Sequence, residues 1–151
     1  MAARSGKVNL AKEQLEDGID LFLRERYVSA LTLLGSSEEI LSRLVEEATG
    51  AHPLESTWTR ANEMRSLLGK PHISKQEIFK AYNTGRNTVK HHTPGESKYV
   101  AHYRFGEAFM MIQRATASAE LLKLRYRGKK EYKAWLVQIG FAAEVPKVSR
   151  A

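Results

Sequence analysis

Residues 15–23, LEDGIDLFL, place Leu15, Ile19, Phe22 and Leu23 at i, i+4, i+7 and i+8, which is one apolar stripe along a helix. Residues 30–48, ALTLLGSSEEILSRLVEEA, carry a second stripe of Ala30, Leu34, Leu41, Leu44 and Ala48, closed by Thr49-Gly50. A break near Arg26-Tyr27 separates the two, although neither glycine nor proline marks it. His52-Pro53 reads as a loop, because the residue before proline is pushed out of the helical region. Residues 54–68 form a weaker third helix around Leu54, Trp58, Ala61, Arg65 and Leu68, ended by Gly69-Lys70-Pro71.

Ser74 followed by Glu77 is a capping box, so a fourth helix starts there, runs toward His91 or His92 and stops before Pro94. Glu96 to about Leu124 reads as the longest helix, with Tyr99, Tyr103, Phe109, Ile112 and Leu121 among its apolar positions. Within it Ala115, Ala117, Ser118 and Ala119 form a small-residue stretch that another backbone could approach. Gly128 precedes a last amphipathic piece containing Tyr132, Trp135, Leu136 and Ile139. No segment alternates as a strand does, and none repeats. The expected architecture is all-α, a bundle of four to five helices forming a single domain over 1–151.

At 151 residues and 42% hydrophobic composition the chain can bury a working core. Zero cysteines exclude a disulfide framework, thiol catalysis and thiolate zinc sites. No apolar run approaches the roughly 18 residues of a membrane span, and the N-terminus lacks the apolar region of a signal peptide. The expectation is a cytoplasmic protein without membrane attachment. The net charge of +7 is unevenly placed. Residues 1–50 carry six Lys/Arg against nine Asp/Glu, 51–100 eight against four, and 101–151 ten against four. A chain that grows basic toward its C-terminus fits contact of the later half with a polyanion.

Five histidines raise the question of a metal, but there is no H-E-x-x-H and no Glu-x-x-His pair, so neither a metal nor another cofactor is expected. The chemistry-bearing stretch is residues 85–92, GRNTVKHH. On a helix Asn87 and His91 share a face, with Arg86 beside them. Arg86 can hold a phosphate through two parallel hydrogen bonds, His91 can exchange a proton near neutral pH, and Asn87 can orient a hydroxyl. One phosphate clamp and one proton-transfer group suffice for metal-free RNA cleavage, in which the ribose 2′-oxygen attacks the adjacent phosphorus.

Arg86, Asn87 and His91, with four residues between Arg and His near the end of a helix, resemble the signature of the HEPN superfamily. The segment 30–41, ALTLLGSSEEIL, is also similar to the second helix of HEPN-like proteins. The resemblance covers about residues 8–125, leaving a basic C-terminal extension of about 126–151. It implies a homodimer in which two motifs meet in a shared cleft, and a metal-independent endoribonuclease of a toxin–antitoxin, defence or RNA-processing type. It further implies Arg86, Asn87 and His91 as catalytic residues, RNA as substrate, and an antitoxin or other protein as partner. Thr93 departs from those members that place a tyrosine two residues after the histidine. Members without activity serve as interaction or binding modules.

Lys90, His92, Arg125, Arg127, Lys129 and Lys130 are the expected phosphate contacts, and Tyr126 or Tyr132 could stack on bases. His102 is either a neighbour of the cleft or a packed helix residue. Of Glu38 and Glu39, one could turn inward and hold Arg86, or both could be solvated. Two rivals make different demands. A helix-turn-helix with its recognition helix at 86–92 needs a sharp break at Gly85, whereas the ribonuclease-like reading needs one continuous helix there. A non-catalytic binding bundle places Arg86 in an internal ion pair and forms no basic cleft.

Overall fold

The structure, a computed structural model, describes residues 5–142. The described residues form six α-helices and no strand: α1 (Lys7–Leu23), α2 (Tyr27–Thr49), α3 (Leu54–Leu67), α4 (Lys75–Lys90), α5 (Arg104–Leu121) and α6 (Lys129–Gln138). The bundle is thus all-helical, with one helix more than the upper expectation. The masses of α1, α2 and α5 make the core, and α2 lies at its centre against both others.

The α1–α2 turn has no glycine because Glu25 itself takes the left-handed conformation, φ 61°. Two turn hydrogen bonds, Glu25 N–H to the Phe22 carbonyl and Arg26 N–H to the Leu21 carbonyl, both 2.9 Å, hold it there. Such a residue costs roughly 1–2 kcal/mol, which is why composition alone marks the turn poorly. Across it, Ala11, Leu15, Ile19 and Phe22 of α1 share one buried cluster with Ala30, Leu31, Leu34 and Leu41 of α2. Gly18 permits the close crossing, since a Cβ there would lie 2.7 Å from Leu34 Cγ. Of the expected stripe of α2, Ala30, Leu34 and Leu41 are buried, Leu44 is half-buried and Ala48 is exposed; Leu31 and Val45 are buried besides. A stripe at positions 31, 34, 38, 41 and 45 follows alternating spacings of three and four, the geometry of a long helix seam. That stripe carries Glu38 inside.

The helix expected from Glu96 begins only at Arg104, and α2 is longer than α5. Pro94-Gly95 turns the chain, and the Ser97 hydroxyl then donates to the Tyr99 carbonyl (2.9 Å) and accepts from the Tyr99 N–H (3.1 Å). Local side-chain bonds of this kind compete with helix formation. Tyr99 and Tyr103 are consequently 90% and 73% exposed, outside the core they were expected to join. Leu121 is exposed as well, whereas Phe109 and Ile112 pack inward. In the small-residue stretch Ala115, Ser118 and Ala119 are buried and Ala117 is not.

Phe22 is the hub of an aromatic cluster, with the rings of Tyr27, Phe105, Phe109, Tyr132 and Trp135 all within 6.4 Å of its own centroid. Tyr132 and Trp135 come from α6, so the segment expected as an extension contributes to the core as far as it is described; residues 143–151 lie outside the described ones.

Polar bonds tie α3 to the segment leading into α4. Asn62 accepts from the Ile73 N–H (2.8 Å) and donates to the Ile73 carbonyl (3.0 Å), and Trp58 Nε1 donates to that carbonyl too (2.8 Å). Ser74 and Glu77 form the expected capping box: the Glu77 N–H donates to Ser74 Oγ (3.1 Å) and the Ser74 N–H to Glu77 Oε2 (2.7 Å). At the start of α3, buried His52 accepts the Leu54 N–H at Nδ1 (3.1 Å), a bond open only to an unprotonated nitrogen. Burial, with help from Arg43 and Arg114 and against the pull of Glu38 and Glu46, holds its pKa below the ordinary value. The unfolded chain therefore binds more protons, so stability should fall as pH drops below about 6.5. Chemical denaturation at several pH values should show this loss. His52→Asn, which can still accept the Leu54 N–H, should weaken it; an unchanged slope would remove His52 as the cause.

Candidate functional site

The stretch 85–92 sits at the C-terminal end of α4, which runs unbroken through Gly85 to Lys90. His91 caps the helix in an extended conformation (φ −128°, ψ 144°) and its N–H donates to the Asn87 carbonyl at 3.2 Å. The break that a helix-turn-helix would need is absent from this segment. Gly85 is buried, and a Cβ on it would collide with the Glu107 carboxylate of α5. The absent side chain leaves room for the end of the Glu107 side chain against α4, at a site where glycine costs roughly 1 kcal/mol relative to alanine.

Arg86 points toward α2. Its aliphatic stem crosses Gly35, where a Cβ would lie 2.5 Å from Arg86 Cδ and 2.7 Å from Cγ. The guanidinium Nη1 then reaches Glu39 Oε2 at 3.1 Å, and Nε makes a longer bond of 3.4 Å to Asn87 Oδ1. The Arg86 side chain is 12% exposed and that of Glu39 61%. Glu38, the next residue, turns the other way and is buried. Its carboxylate meets Arg114 Nη2 of α5 at 3.0 Å, and Arg114 also donates to the Tyr82 carbonyl of α4 at 2.9 Å. Of the two glutamates, the inward one therefore holds Arg114, and the outward one holds Arg86.

Asn87 and His91 open onto a cavity of about 450 Å³, walled further by Thr88, Thr93, Glu96, Ser97, Tyr99 and Val100. Arg86 is not in that wall; Asn87, which is, accepts from the Arg86 Nε–H. His91, His92 and Lys90 are exposed, and His92 Nδ1 lies 3.4 Å from Glu96 Oε1. The site thus offers an imidazole and an amide facing a solvent-open hollow, with an arginine bonded to that amide.

The C-terminal cations gather elsewhere. Arg125, Arg127, Lys129 and Lys130 line a second hollow of about 360 Å³ with Tyr126. Two of them are already paired: Arg127 with Asp17 (3.4 Å) and Lys129 with Glu120 (2.7 Å), which draws the Glu120 carboxyl below its usual range. Arg125 and Lys130 have no ion pair among the described residues, so their charges are not engaged within the protein. Tyr132 cannot stack on a base, because it is 3% exposed within the aromatic cluster. Tyr126 is half-buried, its hydroxyl bonded to Glu120, and burial raises its pKa. His102 is half-buried, with its Nε2 lacking a hydrogen-bond partner, and lies outside the His91 cavity.

Sequence reasoning missed Arg114, Gly35 and Glu107. Arg114 had a visible signal, a lone cation amid the small residues of α5, with Glu38 on the facing seam. Among the described residues no three His, Asp or Glu side chains gather as metal ligands, and no helix is long and apolar enough to cross a membrane. No protein-family model, curated protein or solved structure matches this chain.

Proposed function

We propose that this chain is a HEPN-like, metal-independent endoribonuclease, active as a homodimer, with Arg86, Asn87 and His91 as its catalytic residues. The observation that carries the reading is the continuity from Arg86 through Asn87 to the cavity onto which His91 opens. In this mechanism one histidine takes the ribose 2′-hydroxyl proton and the 2′-oxygen attacks phosphorus. The bond from phosphorus to the 5′-oxygen breaks, and that oxygen receives a proton from the second histidine of the dimer. Arg86 stabilises the charge on the non-bridging oxygens, and Asn87 orients the attacking hydroxyl. The products are a 2′,3′-cyclic phosphate and a 5′-hydroxyl. Lys90, His92, Arg125 and Lys130 would guide the RNA backbone. Action in the cytoplasm, in a defence or RNA-processing role and under the control of an antitoxin or other protein, belongs to the same reading.

One observation favours a second reading. The Arg86–Glu39 pair is what a non-catalytic dimerisation or binding module would contain. Incubation of labelled total RNA with the protein in EDTA separates the two. Cleavage leaving cyclic phosphate ends is expected, reduced on the order of 10²–10⁴-fold in His91→Ala and strongly in Arg86→Ala. A folded wild-type dimer that leaves the RNA intact would establish the binding module instead.

A further inference from the structure

The Arg86 side chain is not placed by its own helix. Its stem lies over the bare backbone of Gly35, and its head is held four residues further along α2 by Glu39. Residues four apart on a helix stack on one face, so Gly35 and Glu39 form a single seat, open at the first position and charged at the second. Asn87 adds a contact from α4 itself. A guanidinium has five N–H donors in a rigid plane. Glu39 engages Nη1 and Asn87 engages Nε, and the remaining donors have no protein partner among the described residues. The seat consequently fixes the plane of the fork while leaving donors for a further oxygen ligand.

We propose that Gly35 and Glu39 are positioning residues that hold Arg86 as a preset acceptor for a phosphodiester oxygen. The proposal rests on the reading that Arg86 meets RNA phosphate, and it extends the site from α4 onto α2. Because Gly35 is buried and Glu39 is largely exposed, the two halves of the seat can be perturbed by different means. Gly35→Ala pushes the stem away sterically. Glu39→Ala removes the oxygen that fixes the head, and Glu39→Gln keeps an acceptor there without the charge.

The test uses the full chain and follows the Arg86 Nε–Hε signal by ¹⁵N NMR, assigned by its disappearance in Arg86→Lys. Inorganic phosphate should shift this signal in the wild type. Gly35→Ala and Glu39→Ala should move the unliganded signal and weaken the phosphate response by at least about tenfold, whereas Glu39→Gln should restore most of it. In the cleavage assay kcat/KM should fall on the order of 10²-fold in Gly35→Ala, the cost of a misplacement near 1 Å. If Gly35→Ala fails to fold, Glu39→Ala, at an exposed side chain, carries the test alone. An Arg86 signal indifferent to phosphate, or identical in wild type, Gly35→Ala and Glu39→Ala, overturns the proposal. A phosphate response that depends on the seat, in a protein that cleaves no RNA, upholds the seat and removes the ribonuclease.

Discussion

Glu38→Ala should destabilise the protein by about 3–5 kcal/mol, as breaking one side of a buried ion pair does. The Glu38 side chain is 4% exposed and that of Arg114 13%, so the guanidinium left behind has little water to turn to. Arg114 Nε already lacks a hydrogen-bond partner, and loss of Glu38 would leave Nη2 with only a 3.4 Å contact to Asn83 Oδ1. The Arg114 bond to the Tyr82 carbonyl joins α5 to α4. Helix α4 buries only Ile78 and Gly85, so polar ties of this kind supply much of its attachment. Two consequences can be measured. Urea unfolding should show the full loss in Glu38→Ala, while a Glu38→Leu/Arg114→Leu double variant should regain part of it, since apolar replacement of a buried pair is often neutral. Hydrogen exchange should nevertheless show α4 opening more readily in the double variant, because the bond to Tyr82 is gone. A loss below about 1 kcal/mol in Glu38→Ala would place the pair with solvent-screened surface bridges.

This prediction bears on what was legible in the sequence. The apolar members of α1 announced its buried face, because Leu15, Ile19 and Phe22 obey helical spacing without interruption. Ser74 and Glu77 announced the start of α4 because a capping box is a local bond pattern, complete within four residues. On α2 the sequence placed Ala30, Leu34 and Leu41 inside correctly but not Leu31, Glu38 or Val45. A carboxylate reads as solvent-facing until its partner is known, and Arg114 stands 76 positions later in the chain. The start of α5 was misplaced for a different reason. Tyr99 and Tyr103 have the spacing of an apolar helix face, and the hydroxyl of Ser97 outcompetes that spacing by bonding the backbone two residues on. For the site, the sequence placed Asn87 and His91 together, and they do share a cavity. The sequence offered Glu38 or Glu39 as a partner for Arg86, and Glu39 is that partner; the part of Gly35 was not legible, because it affects Arg86 by having no side chain.

Phe22→Ala should cost a further class of stability, about 3–5 kcal/mol, through apolar packing alone. Phe22 is 1% exposed and touches rings from three directions: Tyr27 at the head of α2, Phe105 and Phe109 on α5, and Tyr132 and Trp135 on α6. Its edge-on contact with Trp135, centroids 5.0 Å apart, is the closest of these. The neighbouring rings are themselves large and interlocked, so the space left by Phe22 can close only in part, and the cost should lie toward the upper end of that range. For a chain of this length the loss corresponds to a fall in Tm of roughly 10 °C or more. Phe141 supplies the control. It meets Phe109 edge-on at 5.2 Å yet is 60% exposed, so Phe141→Ala should change stability by less than about 1 kcal/mol. Near-UV circular dichroism in a Trp58→Phe background adds a local readout, because the remaining Trp135 signal depends on its fixed ring neighbours. Phe22→Ala should flatten that signal below the unfolding temperature if α6 is held chiefly through this hub. Retention of the full Trp135 signal would mean instead that the Glu120–Lys129 pair and Gly128, seated against Ile19, suffice to dock α6. In that case the basic hollow at residues 124–131 is anchored independently of the core beneath it.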